Sequence, residues 1–167
     1  TVIRTIKDNG GEVVMPVEDQ PGDFGTIYVS PDQDLDIAGL QTKVFDGLHG
    51  VIPVRIYQVT TPEGLVFMHT GDNQTSETLP DGVKVDILFL NAWVNEGGST
   101  QPAIGMRNSI KKLGPRLTIP GHIQELGHHY DPYDIKGRLA FQKVLVADDV
   151  PLPGEVSFQV WGEHCDF

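Results

Sequence analysis

Glycine and proline cut this chain into short apolar runs, and that punctuation constrains the fold more than any other feature. There are 19 glycines and 12 prolines among 167 residues, and they fall between runs too short for long helices. Such a pattern predicts many short strands joined by tight turns. Apolar and polar residues alternate with the period of a strand at Leu35–Ala38, Thr42–Phe45 and Val54–Val59. Thr61-Pro62-Glu63-Gly64 then reads as a turn, and Leu65–Met68 as the returning arm of a hairpin. Ile27–Val29 and Leu117–Ile119 are further short strands. Val13–Met15 is expected to be a short buried strand closed by Pro16, and Val85–Leu90, apolar apart from Asp86, a strand buried on both faces. Val156, Phe158 and Val160 alternate in a last strand.

Helical signals are fewer. Val2–Asp8 resembles the last turns of a helix stopped at Asn9-Gly10-Gly11. Across Ala103–Leu113, residues Ile104, Met106, Ile110 and Leu113 share one helical face, and Gly114-Pro115 ends the run. Ile135–Val146 is a weaker helix because it contains Gly137. Glu18–Gly25 and Pro31–Asp34 read as loop and turn. No repeat, low-complexity tract or linker divides the chain, so residues 1–167 are read as a single domain of α/β class.

Charge excludes one broad class of partner. With 12 basic against 23 acidic residues the formal net charge is −11, and a nucleic-acid face needs clustered Lys and Arg. The excess acid supports solubility and gives a field that attracts cations. Cys165 is the one cysteine, which excludes an intrachain disulfide and a cysteine-rich zinc motif. No apolar run approaches the roughly 20 residues of a membrane span, and the N-terminus has no signal-peptide pattern. Because the sequence begins at Thr1, it is expected to follow a removed or omitted upstream segment.

Histidines stand at 49, 69, 122, 128, 129 and 164. Two of them share a context with Asp72: Leu48-His49-Gly50, Gly71-Asp72 and Gly121-His122 each place a ligand-grade side chain beside glycine at the end of an apolar strand. Strand tips line the binding crevice of layered α/β proteins, and imidazole with carboxylate suits zinc, manganese or iron. If 123–129 turns as a helix, Glu125 and His128 fall close enough to orient His122. His69 is read as structural. Asn73–Pro80 and Gly97–Thr100 have the composition of substrate loops.

In order and spacing these pieces resemble the metallo-β-lactamase superfamily, and within it the UlaG-like and phospholipase-D-like hydrolases. Asn9-Gly10-Gly11 with Val13–Pro16 is similar to the segment after the family's first metal motif. Gly47-Leu48-His49 resembles the third motif and His69-Thr70-Gly71-Asp72 the fourth, where Asn73 stands in place of the usual Thr. Ile119-Pro120-Gly121-His122 resembles the fifth, and Gln124–His128 and Trp161-Gly162-Glu163 are like one subgroup. The resemblance implies that His49 binds a first metal, that Asp72 bridges two, and that His122 binds a second. It also implies a hydrolase, Asp72 being part of its catalytic centre, in which a metal-activated water attacks a small-molecule substrate.

The family's His-X-His-X-Asp-His motif has no counterpart here. Three ligands are too few for two ions, so this chain is expected to be the C-terminal half of an αββα sandwich, inactive alone. Its partner would be the upstream N-terminal half or, in a homo-oligomer, a second copy. Two other functions compete: a half-domain that binds a partner or ligand without catalysis, and a hydrolase using Thr1 as nucleophile with its own α-amine as base.

Overall fold

The computed structural model describes residues 2–19, 24–91, 102–121 and 154–156. A short helix, α1 (Val2–Asp8), leads to β1 (Val14–Pro16), a 3-10 turn (Val17–Asp19) and β2 (Ile27–Val29). β1 and β2 pair in parallel as a small separate sheet. Pro16 is the last residue of β1, which is half-buried rather than buried. A strand with one hydrogen-bonded neighbour tolerates a residue without an N–H.

The main sheet has seven strands in chain order: β3 (Asp34–Ile37), β4 (Leu40–His49), β5 (Ile52–Thr60), β6 (Val66–His69), β7 (Ile87–Asn91), β8 (Leu117–Gly121) and β9 (Glu155–Val156). β3 to β6 are antiparallel neighbours, and β6 to β9 are parallel. The chain turns from β3 into β4 through Ala38 and Gly39, with φ of 53° and 84°. Positive φ at both central residues is what a type I′ hairpin turn requires. The predicted hairpin joining β5 to β6 forms as expected.

One face of the sheet is closed by α2 (Pro102–Leu113), which lies between β7 and β8 in the chain. Met106, Ile110 and Leu113 of α2 join Ile56, Met68, Leu88 and Leu90 of the strands in one buried cluster. The spacing of those helical residues is the apolar stripe predicted from sequence. α2 stops where the Gly114 amide donates to the Ile110 carbonyl.

The opposite face is less covered. Strand alternation puts Tyr57, Phe67, Ile87, Leu117 and Ile119 there, all half-buried, and exposes His69 and Phe89. The expectation that Val85–Leu90 is buried on both faces is therefore corrected. Leu88 and Leu90 are sealed under α2, while Phe89 on the other face is 37% exposed.

Asp86 explains the polar interruption in that apolar run. Its carboxylate accepts from the Val66 amide at 2.9 Å and from Lys84 at 3.1 Å. Its carbonyl accepts from the amides of Arg116 and Leu117. One buried residue thus ties together the starts of β6, β7 and β8. These bonds hold its carboxyl below the ordinary aspartate range, the Val66 amide being the largest cause and Lys84 the next.

Candidate metal centre

Strand direction decides which side chains can meet. β5 runs against both β4 and β6, so β4 and β6 run the same way, and β7 and β8 follow β6 in parallel. The C-terminal ends of β4, β6, β7 and β8 therefore lie along one rim of the sheet. His49 ends β4, Gly71-Asp72 follows β6, Asn91 ends β7, and Gly121 ends β8. His49 and Asp72 are both exposed there.

The turn after β6 carries Asp72 toward β4. Gly71 has a φ of 55°, the left-handed conformation that glycine adopts without penalty. A Cβ at Gly71 would also stand 3.1 Å from the Arg55 carbonyl oxygen. Beyond Asp72, the Leu48 amide donates to Asn73 Oδ1 at 2.8 Å, and the Gln74 amide donates to the Leu48 carbonyl at 2.8 Å. Leu48 thereby places both main-chain polar groups on this turn; Pro53, opposite it in β5, has no N–H to offer. These two bonds bring the segments bearing His49 and Asp72 side by side. At Gly47, a Cβ would meet Asn73 Oδ1 at 2.9 Å and Val54 Cγ2 at 3.0 Å. The glycine before Leu48-His49 thus has a physical cause.

β7 is drawn into the same rim by Thr70 and Asn91. The Thr70 amide donates to the Phe89 carbonyl at 3.0 Å, and the Asn91 amide donates to Thr70 Oγ1 at 2.9 Å. Asn91 Nδ2 donates to the Asn73 carbonyl at 3.1 Å. Thr70 is fully buried, and Asn73 and Asn91 nearly so. Sequence reasoning did not single out these three as organisers of the rim. The available signal was polar residues at the ends of apolar strands, Asn73 standing where the resembled motif has Thr.

His69 is exposed at the end of β6. Its Nδ1 accepts from the Gly71 amide at 2.9 Å, and its ring stacks on Phe89 with centroids 5.9 Å apart. Asn73–Pro80, read as a substrate loop, is partly packed down. Asn73, Ser76 and Leu79 are buried, and Lys112 of α2 donates to the carbonyls of Ser76 and Glu77.

His122, Glu125 and His128 lie outside the described residues, as do Thr1, Gly97–Thr100, Ile135–Val146 and Cys165. Among the described residues no group of three His, Cys, Asp or Glu side chains forms a metal site. The donor types that His49 and Asp72 bring to the rim, an imidazole and a carboxylate, fit zinc. They are two of the minimum of three protein ligands of a catalytic zinc.

No family model matches the sequence, and no curated protein matches it. Among solved structures, the chain is similar to the metallo-β-lactamase fold protein YhfI from Bacillus subtilis. The two share 15% identity and superpose with a TM-score of 0.51, over 80% of this chain and 52% of that one. The chain spans about half the length of that neighbour. With its mixed sheet and helices, it has the α/β architecture of the metallo-β-lactamase fold.

Proposed function

We propose that this chain is part of a metal-dependent hydrolase of metallo-β-lactamase type, in the UlaG-like or phospholipase-D-like group. One observation carries the reading: the turn bearing Asp72 is hydrogen-bonded to the residue before His49, on the rim that β8 reaches at Gly121. Under this reading His49, Asp72 and His122 are metal ligands, and Glu125 and His128 orient His122. A bridging role suits Asp72, whose two oxygens can face two cations. The chemistry a bound zinc supplies at such a site is a water acidified toward neutral pH, ready to attack an ester, amide or phosphodiester; manganese and iron suit the same donors.

The remaining donors are proposed to come from the N-terminal half of the domain. The half-length match to YhfI supports that partner, as does the apolar sheet face formed by Phe67, Ile87, Phe89 and Ile119. Such a face suits packing against a second layer.

The test is metal stoichiometry on the full-length protein after gel filtration. Wild type is expected to retain zinc, and His49→Ala, Asp72→Asn and His122→Ala each to weaken retention at least about tenfold. Equal retention by wild type and all three variants would exclude the ligand set. Zinc binding by a self-associated 167-residue chain would replace the N-terminal half with a second copy.

A further inference from the structure

We infer that Asn73 is a positioning residue: it fixes the tip of β4, and with it His49, against the turn that carries Asp72. The inference rests on the metal-centre reading for its consequence and on hydrogen bonding for its geometry. Asn73 is 1% exposed, and its side chain is paired at both ends. Oδ1 accepts from the Leu48 amide and from Thr78 Oγ1, each at 2.8 Å, while Nδ2 donates to the Thr75 carbonyl at 2.6 Å. The bond to Nδ2 also fixes which amide end faces Leu48. Its main chain is held as well, the amide donating to the Thr70 carbonyl and the carbonyl accepting from Asn91 Nδ2. Asn73 therefore contacts the ends of β4, β6 and β7 at once.

A side-chain carbonyl here does what a strand neighbour does elsewhere. β4 continues six residues past Lys43, where its pairing with β3 ends. The amide of Leu48 near that extended tip has Asn73 as its acceptor. Without it the tip would retain the Gln74–Leu48 bond on this side, and His49 would gain freedom relative to Asp72. Ligands held loosely bind a metal more weakly, because ordering them opposes binding.

The experiment compares four variants of the full-length protein: Asn73→Ala, Gly47→Ala, Thr78→Val and Met106→Ala. Gly47→Ala disturbs the contact from its opposite side, since the new Cβ meets Asn73 Oδ1. Thr78→Val removes the second donor to Asn73 Oδ1, and Met106→Ala removes a core side chain under α2 that makes none of these hydrogen bonds. Two readouts are taken: zinc affinity, and exchange of the Gln74 amide in metal-free protein. Asn73→Ala and Gly47→Ala are expected to speed Gln74 exchange and weaken zinc about tenfold. Met106→Ala is expected to leave affinity within about twofold, and Thr78→Val, which frees one of the two bonds to Asn73 Oδ1, to weaken it less than Asn73→Ala does. Unchanged affinity in Asn73→Ala, or a matching loss in Met106→Ala, overturns the positioning role. If wild type binds no zinc, the hydrolase reading fails alone; the positioning role then stands if Gln74 exchange quickens in both rim variants and falls if it does not.

Discussion

Thr70→Val isolates a single bond that joins two strand ends at the rim. Thr70 has no exposed surface, and its Oγ1 accepts from the buried Asn91 amide at 2.9 Å. Valine has nearly the same shape but no acceptor, so it leaves a buried N–H unsatisfied, a loss of about 1–3 kcal/mol. The added methyl returns about 0.8 kcal/mol, which sets the expected net loss near 1 kcal/mol and the fall in Tm at roughly 2–4 °C for a chain of this size. Thr70→Ser is the matched control. It keeps the acceptor and removes a methyl from a sealed site, destabilising by about 0.5–1.5 kcal/mol. The two variants therefore lose similar stability for different reasons. Amide exchange separates them: Asn91 protection falls relative to Leu88 and Leu90 in Thr70→Val, and moves with them in Thr70→Ser. Equal loosening of Asn91 in both variants would show that packing, and not this hydrogen bond, holds the end of β7.

Met106→Ala removes a fully buried side chain between α2 and the sheet and is expected to cost about 2–5 kcal/mol in denaturant unfolding. Because the carboxyl of Asp86 titrates below its ordinary range in the folded protein, its contribution to stability is complete above about pH 4, the unfolded value. That contribution is lost as pH falls through the folded value; unfolding midpoints against pH should show this acid limb flattened in Asp86→Asn. Ala38→Asn should stabilise the β3–β4 turn by about 0.5–1 kcal/mol, since asparagine accepts positive φ better than alanine, and an unchanged midpoint would contradict the turn assignment. Arg55→Met removes a guanidinium, 3% exposed, that pairs with Asp46 at 2.8 Å and with Glu18. It should raise proteolytic cleavage near the Val17–Asp19 turn while leaving the main sheet intact.

Much of this fold was legible because its signals are local. The alternation of Val54–Val59, the turn at Thr61–Gly64 and the stripe of Met106, Ile110 and Leu113 each act within a few residues, and each appears where expected. Longer-range features were not. The parallel pairing of β1 with β2 depends on a register across a loop. β4 runs on to His49 although Gly47 interrupts the strand pattern, because the β6 turn supplies partners for Leu48. The residue types at the rim could be read from strand ends and glycines. The Asn73 contact could not, since it joins residues 25 apart in the chain through a geometry that exists only after β4, β5 and β6 have paired. The exposure of Phe89 follows from the same limit: an apolar run shows that a strand is apolar, not which of its faces a helix will cover.

Anomalous diffraction at the zinc edge, from crystals of the full-length protein, locates the ion and its ligands in one measurement. A peak is expected at the rim of the sheet, within about 2.0–2.2 Å of a His49 nitrogen and an Asp72 oxygen, with His122, the residue after β8, completing the contacts. A peak bound by other residues, or His49 and Asp72 turned away from any common ion, would contradict it.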